Sequence, residues 1–157
     1  MKRIRVSVLL WSAALMAGLL PLPASASHCT IAGVAGDWAY TYTGTIFAPN
    51  GALPAASVGH FHTDVAGNLN GGQTRTVAGA SGLEDITGTV AVNHDCTATA
   101  TIEVLVNGQL QRTAVLALIY DRNQNHIRGI FQSLTTFNGT AVPVVLTIDA
   151  ARLFSEH

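Results

Sequence analysis

Beyond Lys2 the sequence contains no lysine, and beyond Met16 no methionine. Charged residues make up only 11% of the 157 positions and aromatic ones 6%, and cysteine occurs twice, at Cys29 and Cys96. Each scarcity excludes something. Without lysine past the N-terminus there is no Schiff-base nucleophile and no lysine for a phosphate-binding loop. After residue 26, five arginines (Arg75, Arg112, Arg122, Arg128, Arg152) face nine acids, a formal charge of −4. Scattered cations outnumbered by acids do not neutralise a polyanion, so nucleic acid is not an expected partner. There is no Gly-x-Ser-x-Gly elbow, no paired-carboxylate motif and no complete metal motif, and no cofactor is expected.

The N-terminus is where the basic residues collect. Lys2, Arg3 and Arg5 precede an apolar stretch from Val6 to Leu20, about 15 residues long, short of the roughly 20 that span a bilayer. Pro21-Leu22-Pro23 breaks a helix, and Ala24-Ser25-Ala26 presents small residues where a signal peptidase reads them. Residues 1–26 are therefore expected to be a signal peptide cleaved after Ala26. The remainder, 27–157, is then one exported domain, periplasmic or extracellular, with no membrane span after cleavage. A lipid anchor on Cys29 is disfavoured by the bulky His28 before it.

In an oxidising compartment two cysteines read as one structural disulfide, Cys29–Cys96. It would close a loop of about 67 residues, a constraint on the order of 4 kcal/mol in the chain-entropy account. A catalytic thiol is the alternative, but no Cys-x-x-Cys or His-paired pattern accompanies it.

What is abundant is strand-forming sequence. Seventeen threonines follow residue 26, among many valines, isoleucines and glycines. Period-two alternation predicts strands at about 37–47, 56–63, 69–77, 85–93, 96–106, 110–120, 126–134 and 142–153, with no convincing helix. Asn107-Gly108 is the clearest hairpin turn, because both residues tolerate positive φ. Eight strands with short connections form an up-and-down antiparallel meander, which buries its edges by closing into a β-barrel. An open sandwich is the other arrangement compatible with this pattern.

Gly36-x-Trp38 at the start of the first strand and Arg152 in the last resemble the calycin superfamily, which includes the lipocalins. The resemblance implies a Trp near the closed end of a barrel, covered by a basic residue from the final strand, a structural role for Trp38 and Arg152. Cation–π attraction and exclusion of water make the pairing favourable. Gly36-x-Trp38-x-Tyr40, Gly59-x-Phe61 with Asp64, Gly67-Asn68-Leu69, Gly88-Thr89 and Val92-Asn93-x-Asp95-Cys96 are further similar to small secreted bacterial proteins of unassigned function. Those are grouped with calycin or allene-oxide-cyclase-like barrels. The likeness implies fold and export and assigns no activity.

Few residues are candidates for chemistry. His60 and His62 project from one face of a strand and are half of a metal site, but zinc needs three or four ligands. No Glu follows at a cupin-like distance. If Phe61 faces inward the two histidines face solvent, so no metal is expected and they stay weak candidates. Glu103 and Arg112 fall opposite each other if the hairpin turns on Asn107-Gly108 alone, as a cross-strand ion pair that is exposed with Thr97, Thr99 and Thr101 or, pointing inward, would orient a polar ligand; the exposed pair is expected. Trp38, Tyr40, Tyr42, Phe61, Tyr120 and Phe131 are the candidate lining of a ligand cavity. They serve equally well as the filling of a solid core.

Two functions follow. The first is a non-enzymatic barrel that binds a small apolar or amphipathic molecule or serves as an envelope interaction module. The alternative is an allene-oxide-cyclase-like enzyme, whose apolar barrel folds a hydrophobic unsaturated substrate with little acid–base equipment.

Overall fold

A computed structural model describes residues 28–153. The proposed signal peptide and its cleavage position lie outside the described residues. The chain runs α1 (Ile31–Val34), β1 (Gly36–Ala48), β2 (Gly51–Thr63), β3 (Asn68–Val77), β4 (Ala80–Val92), β5 (Thr97–Val106), β6 (Gln109–Tyr120), β7 (His126–Thr136) and β8 (Val144–Arg152). Each strand pairs antiparallel with the next, and β8 returns to β1 from Trp38↔Arg152 to Ile46↔Val144, closing an eight-stranded barrel. The eight-stranded up-and-down antiparallel barrel expected from the alternation is the observed fold, and the open sandwich is not.

Alternation decides what enters the barrel. Trp38, Tyr40, Tyr42 and Ile46 of β1 are buried, as are Leu69, Ile86, Ala100, Leu116, Ile127 and Leu146 on other strands. Threonines Thr41, Thr43, Thr99, Thr101 and Thr147 take the exposed positions between. Pro54 lies in β2 one residue past Ala55, where the β3 ladder ends at Val77. There the regular ladder has given way to the turn, with the Pro54 carbonyl still accepting from the Ala78 N–H at 2.9 Å, and a missing N–H is tolerated. That is why β2 begins five residues before the expected Ala56. Likewise the β3–β4 turn is only Ala78-Gly79, both at positive φ, rather than the expected break over 78–82.

Two findings correct the sequence reading. One helical turn, Ile31–Val34, is present. The Thr30 side chain caps it by accepting from the Gly33 N–H at 3.0 Å, and four residues are too few to show periodicity. The second correction concerns Glu103 and Arg112. The hairpin pairs Val106 with Gln109 and Leu105 with Leu110, but the register then shifts, so that Arg112 lies opposite Val104 and Glu103 opposite Thr113. This bulge flips the face of every later β6 residue relative to simple hairpin counting. Glu103 stays outside and exposed, Arg112 turns inward, and the expected ion pair does not exist.

The Cys29–Cys96 disulfide is present, spanning 67 positions. It fastens the segment before α1 to the β4–β5 turn, so that α1 lies across one end of the barrel.

Candidate ligand-binding cavity

The end beneath α1 is capped. Trp38 is fully buried, and its indole Nε1 donates to the Val34 carbonyl at 3.0 Å. Arg152 lies over the indole, its Cζ 5.0 Å from the ring centroid. Its guanidinium donates to the Ala35 carbonyl at 2.9 Å, the Gly33 carbonyl at 2.6 Å and the Gln124 carbonyl at 3.1 Å. Gly36 makes the approach feasible, since its φ is +132° and a Cβ there would meet the Arg152 Nη1 at 3.2 Å. Tyr120 meets Trp38 edge-on at 5.7 Å between centroids, and Phe61 stacks above at 6.2 Å. Burial pushes the Tyr120 hydroxyl up to about 12, with the Arg152 charge pulling weakly the other way.

Above this cap a cavity of about 60 Å³ remains, lined from all eight strands. Tyr40, Tyr42, Phe61 and Phe131 line it. Trp38 and Tyr120, also expected as lining, belong instead to the packed cap beneath. The space exists because several inward positions hold alanine, among them Ala100, Ala114 and Ala150. Gly59 contributes in another way: a Cβ there would meet the Tyr40 Cε1 at 2.8 Å and the Gly72 carbonyl at 2.5 Å. Its absence lets the Tyr40 ring lie against the β2 backbone. Phe131 is only half-buried and meets Tyr42 edge-on at 5.3 Å.

Toward the far end the wall becomes polar and charged. The Glu84 carboxylate, 7% exposed, is gripped through both oxygens by the Arg112 guanidinium, with Nη1 to Oε1 at 2.9 Å and a second bond from Nη2 to Oε2. Arg75 approaches the same carboxylate with its Nε 3.2 Å from Oε1. Gln73 donates from Nε2 to Glu84 Oε2 at 2.6 Å, while its Oε1 accepts from Tyr40 at 2.8 Å and Ser57 at 2.9 Å. Burial alone would raise the Glu84 pKa. The Arg112 hydrogen bond and charge, the Arg75 charge and the Gln73 amide outweigh it, so the carboxyl falls below its ordinary value. Burial raises the Tyr40 hydroxyl well above the usual tyrosine range, with the Tyr42 and Glu84 charges adding to it. Gln73 and Arg112 reach the cavity itself.

This network was not anticipated from the sequence, although its signal is there. Glu84 is in phase with Ile86 and Val90, Arg112 with Ala114 and Leu116, and Gln73 and Arg75 with Leu69. A charged residue in the apolar phase of a strand is a buried charge in a barrel.

His60 and His62 are exposed. His62 Nδ1 lies 2.8 Å from Asp37 Oδ1, and Asp64 caps its own turn by accepting from the Ala66 and Asn68 N–H groups at 2.8 Å. The side-chain and backbone bonds from Asn68 lead those that lower the Asp64 pKa. Among the described residues no group of three metal-ligating side chains converges. No helix among them is long and apolar enough to cross a membrane.

No protein-family description matches the sequence, and no curated protein matches it either. Solved structures similar to it include EF1p2_mFAP2b bound to DFHBI, at 16% identity over 77% of this chain and 94% of that one, with a TM-score of 0.53. The redesigned β-barrel mFAP1 bound to DFHBI is 21% identical over 78% of this chain and 98% of that one, with a TM-score of 0.49. The S-type phycobiliprotein lyase CPES from Guillardia theta is 8% identical over 80% and 92%, with a TM-score of 0.44. At these identities the likeness is one of fold.

Proposed function

We propose that this protein is an exported barrel that binds a small apolar or amphipathic molecule in its interior, above the capped end. The observation that carries the reading is the cavity. It is enclosed by all eight strands, lined by Tyr40, Tyr42, Phe61 and Phe131, and kept open by alanines where larger side chains would fill it. An apolar hollow with a few convergent polar groups is the usual form of a small-molecule site. A barrel of similar fold was solved bound to DFHBI, so this architecture is compatible with holding a small molecule. On a scale where roughly 10–15 Å³ admits one water, about 60 Å³ is narrow. The ligand is slender, or the half-buried Phe131 moves to admit it.

Export is part of the same proposal. Cleavage after Ala26 would leave Cys29 close to the new terminus, in position for its bond to Cys96. The Tyr42→Ala and Phe131→Ala variants test the binding reading against a His60→Ala control. Retention of an apolar fluorophore should change in the first two and not in the third. Equal loss from all three, or no retention by the unaltered protein, contradicts the proposal. Sequencing the N-terminus of the exported protein tests cleavage, with Ser27 expected first.

A further inference from the structure

Inside the far half of the barrel two cations share one anion. Arg75 and Arg112 each have Glu84 as their one acidic partner among the described residues, and their side chains are 24% and 12% exposed. Glu84 is saturated. Its oxygens receive both Arg112 Nη groups, the Arg75 Nε contact and the Gln73 amide. A guanidinium carries five N–H donors in a planar fork, and Arg112 spends its two facing ones on Glu84. The other acids nearest along the strands, Asp85 and Glu103, are exposed on the outer surface. Among the described residues the interior therefore holds one unit of positive charge with no anion of its own, at the polar end of an otherwise apolar hollow.

We propose that this surplus is a head-group site, and that the ligand is an amphiphile with a single carboxylate and a slender apolar body. The carboxylate lies against Arg112 and the Tyr42 hydroxyl, both of which line the cavity, with Arg75 behind them sharing Glu84, and the body extends toward Phe61 and the cap. A carboxylate is chosen over other monoanions because its two coplanar oxygens match a guanidinium fork, as Glu84 already demonstrates in this barrel. Charge bookkeeping gives the site its sign. An amine would add a third cation, and a neutral alcohol would leave the surplus uncompensated. The inference rests on the binding reading above and adds the chemistry of the ligand to it.

The test is calorimetric titration of the oxidised protein with octanoate, 1-octanol and octylamine. Octanoate is expected to bind about tenfold or more tighter than octanol, the scale of a charge-assisted hydrogen bond, and octylamine not at all. Arg112→Met should abolish that preference. Glu84→Gln should do the opposite and tighten octanoate severalfold, because it raises the surplus from one charge to two. A purely structural network would weaken binding in both variants. If Arg112→Met fails to fold, the Glu84→Gln result and the three-ligand ranking decide. Octanol binding as tightly as octanoate would overturn the head-group site while leaving the cavity reading intact. Binding of none of the three would overturn both.

Discussion

Arginine is held partly buried at two places in this barrel, and the two places treat it differently. At the capped end Arg152 has no acidic partner among the described residues: it donates to three backbone carbonyls and covers an indole face. In the far half Arg75 and Arg112 converge on one carboxylate, beside open space. The first arrangement joins α1, the β6–β7 loop and β8 into one lid, and it is held by three neutral carbonyls, two at α1 and one in the β6–β7 loop, that do not titrate. The second depends on the ionisation of Glu84 and has donors to spare. A cation satisfied by backbone is a fastener, whereas a cation in excess beside a cavity is available to a ligand. Stability and binding should therefore separate along the barrel axis.

Trp38→Ala should cause the largest loss. Deleting a fully buried indole costs about 3–5 kcal/mol and removes the surface on which Arg152 lies, so chemical denaturation should show a drop of that size. Next comes the disulfide. Reduction, or replacement of Cys29 and Cys96 by alanine, should cost about 4 kcal/mol by loop entropy, read as a shifted denaturation midpoint in reductant. The effect should fall on the capped end, which hydrogen exchange at α1 and the β4–β5 turn would report.

Glu84→Gln should be milder, about 2–3 kcal/mol, because the amide keeps some hydrogen bonds while the arginines lose their counter-charge. It also alters the pH profile. The folded-state pKa of Glu84 is depressed, so its contribution is full above the ordinary glutamate value of about 4.3. It is lost as pH falls from there through the lower folded-state value. Acid titrations of stability should flatten in that window in the variant. If instead the capped end were the pH-sensitive region, the contrast drawn above would fail. The smallest effect belongs to His60→Ala and His62→Ala. Both are exposed on the outer wall, and each should change stability by less than about 0.5 kcal/mol and leave binding untouched.

The barrel was legible because its evidence is local. Alternation around Trp38-x-Tyr40-x-Tyr42 and turn residues such as Asn107-Gly108 act within a few positions, and the strands follow them. The disulfide needed only a count of cysteines. The charged interior was harder to read because it depends on register. A bulge in the β5–β6 hairpin sends Arg112 inward to Glu84, 28 positions away, and hairpin arithmetic cannot see an extra residue. The cavity needed both faces assigned on every strand before Ala100, Ala114 and Ala150 could be seen to face one another. The split of the six aromatic residues into cap and lining required knowing where α1 lies, which the disulfide sets and the strand pattern does not.

The most direct measurement is native mass spectrometry of the oxidised protein, compared with the same sample denatured. An added mass of a small molecule in the native spectrum alone, lost in Phe131→Ala, is the result expected of a barrel that binds ligand in its cavity. A bare protein mass under both conditions, unchanged after incubation with octanoate or octanol, would contradict that claim and make the interior a packed core with a flaw in it.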